Sequence, residues 1–304
     1  MVWCLIASFA ALPLEAQDTT AASRELARLL ATERLSVQAV KRVASVRDGD
    51  VIIDDVTFPS VSGGPPIEAY IVRPASPPAT SAGLAGVLFV HWFGPPAPTS
   101  NRTQFIDEAK MLARRGTVSL LVSTFWSDPE RYRARRWETD FDNSVAQAKD
   151  LRRALDILVQ QRGVDTARVA YVGHDYGAMF GMLISAVDTR AKAYALIAPA
   201  PRFTDWYLFG SSSGVPAGPA RAAFLSRFAP IEPVNVVGRT KASVFFQFGE
   251  VDRYTPRKDF IELYLAGPES KRIATYHSEH EMTDPIIRAD RVAWIAERLG
   301  LPAA

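Results

Sequence analysis

The sequence predicts an α/β fold in which a mostly parallel central sheet carries helices on both faces. Short apolar strands alternate with amphipathic helices over most of the chain, and this alternation demands crossover connections between parallel strands. The run Gly86–His91 (GVLFVH) is almost entirely apolar, as expected for a strand that is buried on both faces of a sheet. A chain of 304 residues is long enough to bury a large core.

The first part of the chain is less regular. Residues 17–50 alternate polar and apolar positions at helical spacing, which predicts a surface helix or a linker. Val51–Phe58 and Ile67–Arg73 have the alternation of strands, and the turn-rich segment SVSGGPP between them predicts an antiparallel pair. We therefore expect a single α/β domain over residues 51–304.

The remaining elements follow in strict alternation. The interval from Ile197 to Ser243 is short and rich in Gly, Ser and Pro, so it accommodates a minimal lid and no large cap. The predicted order is helix 103–115, strand 118–123, helix 143–161, strand 169–173, helix 178–187, strand 193–197, strand 243–248, helix 257–266, strand 272–276 and helix 285–299.

Composition and charge exclude several classes of partner and site. With 35 basic and 33 acidic side chains the formal net charge is +2, and 48% of the residues are apolar, which is ordinary for a globular protein. Charges of both signs are spread along the chain, so we expect no strong attraction to nucleic acid or to a membrane surface. The single cysteine, Cys4, excludes an internal disulfide and a cysteine-based zinc site.

Residues 1–16 predict a signal peptide, and hence export to the periplasm or out of the cell. Residues 2–13 carry no charge, and Ala16 offers a small residue for cleavage before Gln17. The basic residues that usually precede such a run are missing. The alternatives are a hydrophobic N-terminal helix or an incorrectly assigned start site, and in either case a cytoplasmic protein.

Ligands on such a sheet bind at the carboxyl ends of the strands, so we expect the functional side chains among the residues that follow each strand. The strand that ends at Gly173 continues as Gly173-His174-Asp175-Tyr176-Gly177. This is the spacing of a nucleophile elbow, a strained strand-to-helix turn that exposes its middle side chain. That side chain is the carboxylate of Asp175. The alternative is a tight turn in which Asp175 caps the next helix.

Two later strands are followed by an acid and a base. Asp252 follows the last strand but one, and His280 follows the last strand. The chain order Asp175, Asp252, His280 is the nucleophile–acid–base order of a hydrolase triad. The nearby rivals for the acid and the base are Glu250 and His277.

With these segments the chain resembles an α/β-hydrolase of the dienelactone hydrolase family. The resemblance rests on GVLFVHWFG, VAYVGHDYGAMFG, FQFGEVDRYTP and YHSEHEMTD, and it covers the chain from about residue 51 to residue 299. It implies the α/β-hydrolase fold, a hydrolase that acts on a small molecule, and His280 as the base. It also implies an oxyanion hole formed by the backbone N–H of Tyr176 and that of either Trp92 or Phe93.

The aspartate at the elbow departs from that family, whose members carry Cys, and from related esterases, which carry Ser. A carboxylate that attacks an ester carbonyl would form a reactive anhydride, whereas one that displaces a halide or opens an epoxide forms an ordinary ester. In this respect GHDYG resembles the elbows of haloalkane dehalogenases and epoxide hydrolases. The leading hypothesis is therefore a hydrolase that forms an ester on Asp175, which His280 and Asp252 then hydrolyse with water.

Such chemistry needs hydrogen-bond donors for the leaving atom, indole N–H for a halide and phenol O–H for an epoxide oxygen. Aromatic side chains in the loops after the strands are candidates for these donors or for the pocket wall. His91 is expected to support the loop backbone or to line the pocket. The aromatic candidates are Trp92, Trp126, Trp206, Tyr176 and Tyr207, of which Trp92 and Tyr176 are the first to test.

Two other functions stay open. A carboxylic ester or lactone hydrolase would use Asp175 as a general base toward water, and a binding protein would keep the scaffold without its catalysis. The sequence contains no cluster of metal ligands, no Gly-rich phosphate loop and no dinucleotide fingerprint, so no metal and no cofactor is expected. The sequence predicts no oligomeric state.

Overall fold

The computed structural model describes residues 14–76, 83–209, 214 and 217–302, and nine strands within these ranges form one sheet. The strands are β1 (Lys41–Asp48), β2 (Val51–Phe58), β3 (Ile67–Pro74), β4 (Leu84–Val90), β5 (Thr117–Val122), β6 (Val164–His174), β7 (Ala193–Ile197), β8 (Ser243–Gly249) and β9 (Lys271–Tyr276). Their order in the sheet is β1-β2-β3-β5-β4-β6-β7-β8-β9. The pairs β1/β2, β2/β3 and β3/β5 are antiparallel, and the other five are parallel.

Helices cover both faces of this sheet. They are α1 (Leu14–Leu29), α2 (Ile106–Ala113), α3 (Pro129–Arg133), α4 (Trp137–Val159), α5 (Tyr176–Ser185), α6 (Phe203–Tyr207), α7 (Pro219–Phe228), α8 (Pro233–Val236), α9 (Arg257–Ala266) and α10 (Pro285–Arg298). The mostly parallel α/β sheet and the antiparallel pair β2/β3 confirm the predicted fold class. The described residues between β7 and β8 form the short helices α6, α7 and α8.

The core lies in two layers, one on each face of the sheet, because buried strands alternate their side chains. In β4, Leu88 and Val90 belong to the layer with α4 and α5, whereas Val87 and Phe89 belong to the layer with α2 and α10. All seven residues of β4 are buried. A strand that packs on both faces has an almost continuous apolar sequence, and this is why the sequence predicted β4 so clearly.

The sheet begins at Lys41, not at Val51 as predicted. All eight residues of β1 (KRVASVRD) are exposed, so this edge strand has no buried face and no alternating pattern that would identify it. The predicted helix or linker over residues 17–50 is therefore wrong in its second half. Its first half is correct, since α1 occupies it.

The N-terminal helix α1 packs onto the domain. Leu26 and Leu30 are 2% and 0% exposed, and the Arg152 guanidinium donates to Leu30 O. The predicted signal peptide lies outside the described residues except for its last three positions, which begin α1. Export therefore stays a prediction. Within the described ranges no helix is both long enough and apolar enough to cross a bilayer.

Replacing Leu30 by Ala should destabilise the protein by about 2–5 kcal/mol, because it removes a fully buried side chain and leaves a cavity. Urea unfolding measures the change. Leu265→Ala is the matched control, since Leu265 is 73% exposed and its truncation should cost no more than about 0.5 kcal/mol. Equal stability of the two variants would contradict the docking of the N-terminal segment.

Candidate active site

The carboxylate of Asp175 stands on a strained turn between β6 and α5. Its backbone has φ 52° and ψ −116°, a conformation that costs a non-glycine residue about 1–3 kcal/mol. The side chain makes no capping hydrogen bond to α5. The geometry is therefore that of an elbow, and the alternative in which Asp175 caps the helix is wrong.

The two glycines of the elbow allow backbone segments to approach closely. A Cβ on Gly177 would lie 2.2 Å from Val90 O, and a Cβ on Gly173 would lie 2.4 Å from Gly177 O. Both distances are far below van der Waals contact, so no side chain fits at either position. This approach brings α5 against the end of β4 and places the loop after β4 beside Asp175.

The three predicted triad residues lie together at the carboxyl edge of the sheet. His280 Nδ1 lies 2.7 Å from Asp252 Oδ2, and His280 Nε2 lies 3.9 Å from Asp175 Oδ1. All three side chains are buried. Neither His280 Nε2 nor Asp175 Oδ1 has a hydrogen-bond partner within the described part of the chain. Among the described residues, these two atoms therefore face each other across 3.9 Å with no hydrogen bond to either.

Asp252 is fixed by the loop that follows β8. Its Oδ1 accepts hydrogen bonds from the Tyr254 and Thr255 N–H groups at 2.7 and 3.1 Å, and its Oδ2 accepts from Thr255 Oγ1 at 2.5 Å. Because an ionised carboxylate only accepts, His280 carries a proton on Nδ1, and in the neutral ring Nε2 is the basic atom. The rivals Glu250 and His277 are both exposed.

One N–H group of the loop after β4 points at the elbow carboxylate. Phe93 N donates to Asp175 Oδ2 at 3.0 Å, and the nearby Tyr176 N–H also favours the ionised form of this carboxyl group, which lowers its pKa. The Trp92 N–H donates instead to Gln104 Oε1 at 2.9 Å. Of the two predicted loop donors, Phe93 therefore has the required geometry, and Trp92 was wrong because Gln104 occupies its N–H.

His91 supports this loop and leaves neither ring nitrogen for a substrate. His91 Nδ1 donates to Trp92 O at 2.7 Å, and Nε2 accepts from Thr124 Oγ1 and Ser127 Oγ at 2.9 and 2.8 Å. Burial lowers the pKa of His91 to about 4, so the ring stays neutral. It orients the peptide whose N–H comes from Phe93, so of its two predicted roles the structure shows support of the loop backbone and not pocket lining.

Burial and neighbouring charges shift the pKa values of the triad. Burial raises the pKa of Asp175 to about 6, against the opposing effects of His280 and of the two N–H groups. Burial also opposes ionisation of Asp252, but hydrogen bonds from His280 and Thr255 lower its pKa. Burial disfavours the His280 cation, yet the hydrogen bond to Asp252 and the charge of Asp175 raise its pKa. The charge of Asp175 thus influences how basic His280 is.

Trp126 and Trp206 both have an indole N–H without a partner among the described residues, and Trp206 is the one whose ring lies beside His280. Its ring centre lies 5.7 Å from that of His280 and 6.0 Å from that of Tyr176. Its Nε1 is buried and has no hydrogen-bond partner among the residues that the structure describes. Because indole N–H only donates, this group is available to an acceptor in the site.

The buried Tyr176 forms a pair of phenols with the half-buried Tyr132, a residue of α3. Their oxygens are 2.5 Å apart, and burial and the charge of Asp175 both raise the pKa values of the two phenols. One proton bridges the two oxygens, so the pair retains a second proton that it can donate to a ligand. The guanidinium of Arg135 stacks over the Tyr132 ring at 5.1 Å.

The other predicted aromatic residues have structural positions. Trp126 has no exposed surface and stacks on Phe180 at 5.3 Å, and Tyr207 OH lies 2.8 Å from Ser144 Oγ. Both rings contact the Tyr176 ring, with ring centres 5.4 Å away for Trp126 and 5.9 Å away for Tyr207. The Trp92 ring lies flat against His174 at 5.3 Å, and its Nε1 donates to Thr99. The prediction of Trp92 as a donor to a leaving group was therefore wrong.

Several residues of the site were not predicted. Thr255 follows Asp252 at the spacing of a side chain that caps an Asp turn, and this pattern could have identified it. Gln104, in a turn, and Tyr132, in the short helix α3, give no such signal, because they belong to polar segments whose contacts depend on the tertiary fold. In the described ranges, no group of three or more His, Cys, Asp or Glu side chains is arranged to hold a metal.

Comparison with known proteins identifies the fold. No protein-family model matches the sequence, and a search of curated proteins finds no match. Among solved structures, an acetyl xylan esterase from Paenibacillus sp. R4 is similar with a TM-score of 0.69, 18% identity and coverage of 96% of both chains. Acetyl xylan esterase 1 from Thermoanaerobacterium sp. JW/SL YS485 gives 0.72 and 16% identity, over 94% of this chain and 99% of that one.

A putative dienelactone hydrolase from Klebsiella pneumoniae subsp. pneumoniae MGH 78578 is also similar, with a TM-score of 0.57, 16% identity, and coverage of 83% of this chain and 99% of that one. At these identities the similarity establishes the fold. The chain has the α/β-hydrolase fold, as its resemblance to dienelactone hydrolases implied.

Replacing Asp175 by Asn should lower the pKa of His280, because a neutral amide removes a negative charge that favours the imidazolium. NMR titration of the histidine ring signals measures the change, and the chain has only four histidines to assign. Asp142→Asn is the control, since Asp142 is 65% exposed and pairs with Arg227 on the surface. An unchanged or raised pKa of His280 in the Asp175→Asn variant would contradict the electrostatic coupling.

Proposed function

We propose that the protein is a hydrolase that attacks a saturated carbon with Asp175 and then hydrolyses the resulting ester. One observation carries this proposal. Asp175 Oδ2 accepts a hydrogen bond from the Phe93 N–H, while Oδ1 has no partner within the described part of the chain and lies 3.9 Å from His280 Nε2. An acid that merely orients water would not need one oxygen bound in an oxyanion hole.

In the first step Oδ1 forms a bond to the substrate carbon, and the bond from that carbon to its leaving group breaks. The leaving group takes the electron pair, either as a halide ion or as an epoxide oxygen that acquires a proton. Asp175 Oδ2 becomes the carbonyl oxygen of the ester. This oxygen already accepts the hydrogen bond from the Phe93 N–H, so ester formation requires no rearrangement of the loop.

In the second step water attacks Cγ of Asp175. His280 Nε2 takes a proton from the water, and negative charge develops on Oδ2, where the Phe93 N–H stabilises it and the Tyr176 N–H is the proposed second donor. The tetrahedral intermediate then releases the alcohol, which carries Oδ1 and receives the proton from His280. The regenerated Asp175 carboxyl keeps the second proton of the water and then releases it, to solvent in the haloalkane reaction or to the group that protonated the epoxide oxygen. The balance is haloalkane plus water giving an alcohol, a halide ion and a proton, or epoxide plus water giving a diol.

Ester formation also prepares the base. The charge of Asp175 is one of the causes that raise the pKa of His280 in the free protein. The ester is neutral, so its formation removes that cause and lowers the pKa. A larger fraction of His280 is therefore neutral at the step that needs a base, while Asp252 holds its Nδ1 proton in place.

Two donor groups suit two kinds of leaving group. The free proton of the Tyr132–Tyr176 pair suits an epoxide oxygen, and the Nε1–H of Trp206, unpartnered among the described residues, suits a halide. Arg135 strengthens the phenol donors, because its positive charge opposes the effect of burial on the pKa of Tyr132. We propose epoxides or haloalkanes as substrates on this basis.

A second candidate, hydrolysis of carboxylic esters or lactones, is favoured by the names of the similar structures, which include acetyl xylan esterases. Asp175 would then act as a general base, a role compatible with its pKa of about 6. Loss of ester turnover in Asp175→Asn, with no covalent adduct in any variant, would favour this candidate over ours.

Replacing His280 by Gln should trap the ester on Asp175, because attack proceeds and hydrolysis lacks its base. Intact-protein mass spectrometry after incubation with a panel of haloalkanes, epoxides and activated esters should show one added alkyl group, which peptide mapping places on Asp175. Asp175→Asn in the His280→Gln background is the control and should gain no mass. Absence of an adduct from every compound, together with turnover by the wild type, would contradict the covalent route.

The donor assignment predicts opposite responses from two variants. For an epoxide, the double variant Tyr132→Phe/Tyr176→Phe should slow ester formation about 100-fold, because no phenol proton remains. Each single variant should have a much smaller effect, since the remaining phenol keeps one free proton. For a haloalkane, Trp206→Phe should give the larger loss. Rapid-quench measurement of ester formation tests both, and equal effects of all variants on both substrates would contradict the assignment.

A further inference from the structure

We infer that Gln104 and His174 form a hydrogen-bonded strut between two loops of the site. The strut holds the loop after β4, which carries the Phe93 N–H, at a fixed distance from the loop that carries His280. Both are positioning residues, since neither contacts Asp175 Oδ1 or His280 Nε2. The inference rests on the proposed function in one respect only, namely which reaction step the strut serves. The existence of the strut and the donor-to-acceptor direction of its hydrogen bonds do not depend on the substrate.

The strut is an unbroken chain of three hydrogen bonds. Trp92 N–H donates to Gln104 Oε1 at 2.9 Å, Gln104 Nε2 lies 2.6 Å from His174 Nδ1, and His174 Nε2 lies 2.8 Å from His280 O. The chain runs from the loop after β4, through the residue that precedes Asp175, to the backbone of the base. These three segments are far apart in the sequence.

The chemistry at the two ends fixes the direction of every bond. A backbone N–H only donates, so the Gln104 amide presents its oxygen to Trp92 and its NH₂ group to His174. A carbonyl oxygen only accepts, so His174 carries its proton on Nε2, facing His280. His174 Nδ1 is then a lone pair that accepts from Gln104. A doubly protonated His174 would face the Gln104 NH₂ group with a second donor and break the chain.

The surroundings keep His174 in that form. The ring is 1% exposed and stacks flat on the Trp92 indole, with ring centres 5.3 Å apart. Burial lowers the pKa of His174 well below its ordinary value, and the nearby His280 and Arg291 lower it further. His174 is therefore neutral throughout the range in which the site operates.

Each end of the strut fixes one half of the site. At one end, Gln104 holds the Trp92 N–H while His91 holds the Trp92 carbonyl, so the next N–H, that of Phe93, is aimed at Asp175 Oδ2. At the other end, His174 holds the backbone of His280 while Asp252 holds its ring. The two side chains of the strut thus link the loop that carries the Phe93 N–H to the backbone of the base.

Replacing His174 by Phe keeps a ring against Trp92 and removes both hydrogen bonds. Because His280 acts only in hydrolysis, ester formation should keep its rate and hydrolysis should slow about 100-fold. His174→Gln is the conservative variant, since its Nε2 can still donate to His280 O, and it should recover most of the hydrolysis rate. Intact mass during turnover measures the fraction of enzyme held as ester, and thermal unfolding confirms that each variant folds.

Accumulation of the ester in the Phe variant and its absence in the Gln variant would support the strut. Equal loss of both steps, or normal hydrolysis in folded His174→Phe, would overturn it. If His174→Phe fails to fold, Gln104→Leu breaks the same chain from a half-buried position and should show the same selective defect. Normal hydrolysis in that variant would also overturn the inference.

Ring ¹⁵N shifts of the histidines give a test that needs no substrate. They should show His174 with Nε2 protonated and Nδ1 unprotonated across the neutral range, and a changed His280 signal in Gln104→Leu, with His277→Gln as the control. A protonated Nδ1 on His174 would overturn the strut whether or not the chemistry is as proposed. Failure of the covalent route would instead appear as the absence of any adduct in His280→Gln, with these shifts unaffected.

Discussion

The hydrogen bond from the Phe93 N–H to Asp175 Oδ2 determines what the elbow carboxylate can do. It makes the two oxygens of one carboxylate different, one bound by the backbone and one facing His280 without a partner among the described residues. Three features of the fold produce this arrangement. They are the positive φ of Asp175, the approach of Gly177 to β4, and the orientation of the loop that His91 and Gln104 hold.

The site combines a buried charge with aromatic surroundings. Burial alone would favour a neutral Asp175, and the raised pKa of about 6 reflects that cost. Two N–H groups and His280 offset part of it, so the anion persists near neutral pH. A carboxylate that has lost most of its water is a stronger nucleophile than one in solution, and the same low polarity strengthens the hydrogen bonds that await the developing charge.

The sequence predicted the parts of the fold and site that depend on local patterns. The buried strand β4, the parallel order of strands, and the positions of Asp175, Asp252 and His280 all follow from apolar runs and the residues after them. It failed where no local pattern exists, as at β1, which has no buried face, and at Tyr132, which lies in a segment that resembles charged surface. The choice between Trp92 and Phe93 also required the tertiary fold, because Gln104 decides it.

The most direct test of the account is the origin of the oxygen in the product. A single turnover in H₂¹⁸O, with enzyme in excess over whichever epoxide or haloalkane proves to be a substrate, separates a covalent ester from direct attack by water. The account predicts that the new hydroxyl carries ¹⁶O from Asp175 and that the peptide containing Asp175 gains ¹⁸O. A product labelled with ¹⁸O in the first turnover, with an unlabelled peptide, would contradict it and leave Asp175 as a base.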